Sequence, residues 1–184
     1  MPGRGARRSE PAEPPDAAAA MEIAVRFLGS RPRSRWELDR RLRRAGVGES
    51  TVTATLDRLS ELGYVDDAAF ARWWGEQRDR HAPRGRRMVE AELRQHGIDR
   101  DVIDAYREEH RAPRRAPEDA SLPGSELERA REALARHLKG RPLPDDPRSR
   151  QRIGMFLVRR GFDPDTARAA LRGAGSAPDE SIEE

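Results

Sequence analysis

The sequence predicts an all-α protein, a tandem array of three three-helix repeats, elongated and curved, and three observations carry that reading. One phrase occurs three times, as Pro32-Arg33-Ser34-Arg35, Pro83-Arg84-Gly85-Arg86 and Pro147-Arg148-Ser149-Arg150. Eleven residues after the last arginine of each copy stands a glycine (Gly46, Gly97, Gly161), followed by an apolar residue (Val47, Ile98, Phe162). Apolar residues precede each glycine by four and eight positions: Leu42 and Leu38, Leu93 and Val89, Leu157 and Ile153. An alanine follows eight positions later, at Ala54, Ala105 and Ala169. Three copies in one register identify an internal repeat. With 35% hydrophobic and 38% charged residues in 184, the chain is thin for one globular core. That balance suits a stack in which each unit buries a modest face against its neighbours.

Each element follows from local chemistry. Residues 1–15 carry Arg4, Arg7 and Arg8 with no apolar pattern and are expected to be a disordered tail. The first repeat, 16–62, starts with a helix over 17–28, where Met21, Ala24, Val25 and Leu28 keep helical spacing. The Ser or Gly of the phrase is an expected N-cap, since a short side chain leaves the first-turn amides accessible. In the first copy the next helix covers 35–44, with Leu38 and Leu42 on one face. Gly46 suits the left-handed position that ends it, and Val47 folds back as the accompanying apolar contact. A third helix covers 49–62 on the stripe Val52, Leu56 and Leu59.

The second repeat, 63–110, repeats the plan. Asp66-Asp67 open a helix to about Arg80, acids favouring the positive end of the dipole. A helix from Arg86 to His96 follows, and Asp99 caps a third that runs to about His110. Residues 111–124 hold three prolines and a glycine and read as a linker. The joint Gly63-Tyr64-Val65 is short, so the first two repeats are expected to dock firmly and the third to swing. The third repeat, 125–172, takes Ser125 as cap for a helix to Leu138. Helices over 149–160 and 163–172 complete it, with Pro164 fitting the first turn after Asp163. Residues 173–184 form an acidic tail.

Composition excludes several classes. No apolar run approaches the roughly 18 residues that cross a bilayer, and the N-terminus lacks the apolar core of a signal peptide. There is no cysteine, hence no disulfide or thiolate chemistry. His81, His96, His110 and His137 are scattered, so neither a metal nor any other cofactor is expected. Lys139-Gly140 has no glycine-rich approach and is not a nucleotide-phosphate loop. Asp66-Asp67 are neighbours that cannot face each other on a helix, which fits a cap and a first-turn acid better than a catalytic pair. The chain reads as a cytoplasmic non-enzyme, most simply a monomer.

The net charge is +3, and Lys139 is the only lysine. Without the two tails the body holds 33 basic and 27 acidic residues, an excess of about +6. Such a surplus fits nucleic acid or an acidic protein groove; arginine richness from biased base composition is the competing explanation. A base at a helix N-terminus opposes the dipole by up to about 1 kcal/mol. Arg33, Arg35, Arg84, Arg86, Arg148 and Arg150, at equivalent places, therefore suggest a compensating use. Either they contact phosphates or acids on a partner, or each pairs with an acid of the adjacent helix. Arg33, Arg84 and Arg148, placed before the cap, form the set expected to point outward. Trp73 and Trp74 read as packing rather than base-stacking platforms, one to the core and one to a flank, and Tyr64 and Phe70 read likewise.

The run Leu59-x-x-x-Gly63-Tyr64-Val65-Asp66-Asp67-x-x-Phe70-Ala71 resembles the central signature of the bacterial RecX regulatory proteins. Arg31-x-x-Ser34-x-x-Glu37-Leu38, Glu92-Leu93-x-x-x-Gly97-Ile98 and Arg159-Arg160-Gly161-Phe162 resemble its flanking motifs, in order from about Ala20 to Leu171. The resemblance implies an all-α array of three-helix repeats that binds the RecA recombinase filament, limits its growth or promotes its loss, and lowers its ATPase and strand-exchange activity. The long proline-rich linker and the two tails depart from that signature. A direct DNA-binding protein built on helix-turn-helix-like units is the alternative, with single- or double-stranded DNA as partner, and a structural scaffold is third. Against DNA stand Glu49, Asp57 and Glu61 on one third helix and Asp101, Asp104, Glu108 and Glu109 on the next, acids that oppose phosphates. The expected partner contacts are the six phrase arginines with Asp101, Asp104 and Glu108. Reversing Arg33, Arg84 and Arg148 together to Glu is expected to weaken partner binding with helicity intact by circular dichroism; unchanged binding would assign them to structure.

Overall fold

The computed structural model describes residues 13–110 and 125–174. Residues 1–12, the 111–124 linker and the tail beyond 174 lie outside them, and so do the expectations made there. Among the described residues there are nine helices and no strand: α1 (Ala17–Leu28), α2 (Arg35–Arg44), α3 (Glu49–Glu61), α4 (Asp67–His81), α5 (Arg86–Gln95), α6 (Arg100–Glu109), α7 (Glu126–Leu138), α8 (Pro147–Arg159) and α9 (Pro164–Gly173). Three three-helix repeats result.

The same glycine turn closes the second helix of each repeat. Gly46, Gly97 and Gly161 have φ of 81°, 71° and 90°, a region open to glycine at little cost. Beyond each glycine the apolar residue's N–H reaches back to a carbonyl of the last turn: Val47 to Leu42 (3.2 Å), Ile98 to Leu93 (3.1 Å) and Phe162 to Leu157 (3.3 Å). This is the Schellman arrangement, which satisfies orphan carbonyls and folds the apolar side chain inward. Val47, Ile98 and Phe162 are all buried, as are the residues four and eight positions before each glycine. Each buried Leu or Phe contributes roughly 1.5–3 kcal/mol. The repeat pattern is thus a core pattern.

Helix starts follow the phrase in two copies. Ser34 accepts from the Glu37 amide, and the Glu37 carboxylate accepts from the Ser34 amide, closing a capping box. Gly85 occupies the same position before α5 without a side-chain bond. The third copy corrects the expectation for Ser149. Asp146 is the cap, its carboxylate accepting from the Ser149 amide at 2.8 Å, with Pro147 in the first turn. A carboxylate cap followed by a proline starts the helix early, so Pro147, Arg148 and Ser149 lie inside α8. Hydrogen bonding to Ser149 holds the Asp146 carboxyl below its usual range.

The chain divides into two compact units between Asp66 and Asp67. The first packs α1, α2 and α3 around Ala20, Ala24, Leu38, Leu42, Val52, Leu56 and Leu59, with Val65 closing the cluster. The second holds α4 to α9 in two cores, one around Phe70, Leu93 and Ile103 and one around Leu134, Leu157 and Phe162. Trp73 and Trp74 both pack half-buried against the first of these, the Trp74 ring stacked on Phe70 and the Trp73 ring tilted to it. Tyr64, expected to pack, is 64% exposed.

Within the second unit the expected swing of the third repeat is corrected by direct contacts. The Gly85 N–H donates to the Arg160 carbonyl at 2.9 Å, and the Arg160 guanidinium donates to the Pro83 carbonyl at 3.2 Å. The Arg86 amide donates to the Glu126 carboxylate at 3.0 Å. The backbones meet so closely that a Cβ on Gly85 would lie 2.1 Å from the Gly161 carbonyl carbon. Glycine is here for close approach, a role a cap alone does not require.

Gly85→Ala should therefore cost about 1–3 kcal/mol or more, as the two backbones part. Gly48, the cap of α3, has nothing within 4 Å of an added Cβ. Gly48→Ser should be neutral or stabilising by a few tenths of a kcal/mol. Urea denaturation midpoints of both variants check the contrast.

Candidate functional site

The six phrase arginines do not share one environment. Arg33 folds onto its own repeat: its guanidinium lies 3.9 Å from the Phe27 ring centroid and donates to Ser30 Oγ (2.8 Å) and the Phe27 carbonyl (3.3 Å). Burial, with Arg31 close by, pushes it below its usual pKa. Arg35 crosses to α3, donating to Asp57 (2.6 Å) and Ser60 (3.3 Å). Arg84 pairs with Glu92 of α5, and burial with Arg78 and Arg160 nearby lowers its pKa. The expectation that Arg33 and Arg84 point outward is thus corrected. A guanidinium before the cap can reach back over its own repeat, and there it finds an aromatic face or a buried carboxylate.

Arg148 is the exception. It is exposed on the first turn of α8 and makes no ion pair among the described residues. Arg86 contributes its backbone amide to the repeat joint, and Arg150 donates to the Pro144 carbonyl at 3.0 Å. On α6, Asp101 and Glu108 are exposed, while Asp104 accepts from Arg107 at 2.6 Å and lies 3.5 Å from Arg100. The structure leaves the nine expected contact residues dispersed.

Two acids of α5, Glu90 and the Glu92 of the flanking motif, neither expected as a contact residue, organise the second repeat instead. Glu92 accepts from Trp74 Nε1 (2.8 Å) and Arg78 Nε (2.7 Å) and pairs with Arg84. Arg78 also lies 4.3 Å from the Trp74 ring centroid. Glu90 accepts two bonds from Arg107 of α6 at 2.8 and 2.9 Å; that bonding raises the Arg107 pKa. Across the joint, buried Arg129 of α7 bonds Glu126 (2.7 Å) and lies 3.8 Å from buried Asp79 of α4. Burial opposes the Arg129 charge, but Asp79 and Glu126 together raise its pKa. A signal was present in the sequence: Glu90 follows the buried stripe residue Val89 and Glu92 precedes the buried stripe residue Leu93, which sets both acids beside the core.

Around the start of α5 and the end of α8, arginines outnumber acids. Arg84 lies near both Arg78 and Arg160, and Glu92 is the carboxylate that Arg78 and Arg84 share. No three of His, Asp and Glu among the described residues are grouped as metal ligands. No described helix is long and apolar enough to cross a membrane.

The molecule is therefore a tandem three-helix-repeat protein whose arginines brace the repeats and leave a cationic excess at their joint. Residues 20–59, 66–106 and 125–171 match, in order, the first, second and third three-helix domains of RecX. The chain belongs to the RecX family. It is 39% identical over 158 residues to a regulatory protein RecX of Thermobifida fusca (strain YX), covering 84% of this chain and 78% of that one. It is 36% identical over 156 residues to a regulatory protein RecX of Mycobacterium avium (strain 104), covering 84% of each. The crystal structure of RecX from Lactobacillus salivarius has the same fold, with a TM-score of 0.66 at 18% identity over 86% of this chain and 96% of that one.

Glu92→Ala should leave two guanidiniums and an indole N–H without their shared acceptor and cost about 2–3 kcal/mol. Arg148→Glu should change stability by no more than about 0.5 kcal/mol. Thermal unfolding followed by circular dichroism separates the two; equal losses would mean that the phrase arginines are structurally equivalent after all.

Proposed function

We propose that this protein is a non-catalytic regulator that binds the filament of the RecA recombinase, limits its growth or promotes its loss, and so lowers its ATPase and strand-exchange activity in DNA repair. The observation that carries this reading is the ordered match of all three repeats to the three RecX domains. A helical polymer presents the same surface at regular intervals. Tandem repeats can meet it through several weak contacts that add through effective concentration. Binding that prefers one state of the filament ends would then shift the balance between growth and dissociation.

Arg148, exposed and without an internal ion pair, and the exposed acids Asp101 and Glu108 are the residues of the expected set best placed to touch such a partner. Arg33 and Arg84 would act through the shape of the repeat. The protein works as a monomer in the cytoplasm, beside its target.

The deciding experiment is the ATPase rate of RecA on single-stranded DNA with this protein added far below the RecA concentration. The reading expects a progressive fall in rate at amounts too small to occupy the DNA. An unchanged rate, or a fall only when the protein is abundant enough to cover the strand, would contradict it.

A further inference from the structure

Where the last turns of α7 meet the end of α9 there is an open hollow of about 520 Å³, the size of a small-ligand pocket. Leu134, Ala135 and Leu138 of α7 form its apolar wall, with Pro142 beyond that helix and Ala174 at the end of α9. Arg131 and Arg141, both exposed, complete the lining. Among the described residues no aspartate or glutamate lines it.

These two arginines lack the carboxylates that their neighbours have. Arg129 and Arg136 each pair with an acid of α7 three or four positions back, Glu126 and Glu132. Arg131 has Leu127 and Ala135 at four positions, and Glu128, three back, accepts from the Ser125 amide in the capping box. Arg131 makes no ion pair among the described residues, and its guanidinium lies beside Gly173. A Cβ there would stand 3.3 Å from its Nη2 and 3.4 Å from its Nε. Arg141 donates only to the Leu138 carbonyl, at 3.2 Å. An apolar wall flanked by two such cations calls for an occupant with an aliphatic side chain set among carboxylates.

The chain supplies that chemistry at that place. Beyond Ala174 the sequence reads Gly175-Ser176-Ala177-Pro178-Asp179-Glu180-Ser181-Ile182-Glu183-Glu184. Gly175, Ser176 and Pro178 are turn-forming types. Ile182 follows as the one large aliphatic residue, among four acids and no base. Eight residues carry the chain from Ala174 to Ile182, a reach of up to roughly 26–29 Å, ample for a hollow that Ala174 itself lines. A short tether also raises the effective concentration to about the millimolar range, so a contact too weak to hold a free peptide is populated.

We propose that residues 179–184 dock into this hollow, with Ile182 against Leu134 and Leu138 and its flanking carboxylates beside Arg131 and Arg141. The third repeat then carries its own occupant for a face that takes acidic, aliphatic segments. A partner segment of the same chemistry has to displace the tail, which makes the tail a built-in competitor. The inference does not rest on the RecA reading.

Backbone amide NMR of the full chain tests it. Ile182 lies beyond α9, so Ile182→Ser reaches the α7 amides only through docking and leaves the repeat cores untouched. The amides of Leu134, Ala135, Leu138 and Gly140 should shift in that variant, while those of Leu38 and Leu42 in the first repeat stay in place. Arg131→Gln with Arg141→Gln should move the Ile182 and Glu183 amides toward their positions in a free peptide of residues 175–184. Raising salt from about 0.1 M to about 1 M, which shortens the Debye length from about 10 Å to about 3 Å, should move them the same way in wild type. A nitroxide on Ser181→Cys, in a chain with no other cysteine, should broaden the Leu138 amide, and adding Ile182→Ser should remove that broadening. Unmoved α7 amides in Ile182→Ser, or broadening that survives it, would overturn the proposal and leave the hollow to another protein. Shifts centred on a different face would overturn it as well. So would shifts that vanish on dilution, which would assign the hollow to the tail of a second copy.

Discussion

The contact of the Gly85 backbone with that of Gly161 decides how the second and third repeats sit together. One hydrogen bond, Gly85 N–H to the Arg160 carbonyl, runs directly across it, and there is no room for a side chain on either glycine. The turn that ends α8 is thereby seated on the start of α5. Arg160 is delivered to Pro83, and the ends of α4 and α7 come to the same place. The buried Asp79–Arg129–Glu126 connection depends on that seating.

One sequence phrase has been put to different uses by context. In the first two repeats the arginine before the cap turns back, to Phe27 and Ser30 in one and to Glu92 in the other. Arg35 and Arg84 thus pair with an acid of their own repeat, and Arg33 packs against Phe27 and Ser30 of its own. In the third repeat Asp146 takes over the cap, the helix starts earlier, and Arg148 is carried to the surface. Pairing likewise alters the acid argument against DNA, because Asp57, Glu61 and Asp104 are neutralised by arginines of their own repeat. Exposed charge outside these ion pairs, such as Arg148, is what remains for a partner.

The fold was legible because its signals are local. Glycine turns, apolar spacing of four and eight, and capping residues each act within a few positions, and three copies multiplied every one. α1, α2 and the cap Asp163 of α9 lie where the sequence placed them. What stayed hidden was non-local. Nothing in the sequence says which acid an arginine will find, so the bracing roles of Glu90 and Glu92 and the inward turn of Arg33 and Arg84 are not legible there. Gly85, where the other copies have serine, and Gly75, whose Cβ would lie 2.3 Å from the Tyr106 hydroxyl, were visible oddities whose meaning is a neighbour distant in sequence. The proline-rich linker suggested independence for the third repeat because composition is blind to docking.

Native-state hydrogen exchange at the Gly85 amide tests the seating of the two repeats most directly. If they open as one unit, this amide should be protected to a similar degree as the α5 core amides of Val89 and Leu93, since its acceptor lies across the joint. Exchange as fast as an exposed turn amide such as Gly140, with the α5 amides still protected, would mean that the joint opens freely and that the third repeat moves on its own.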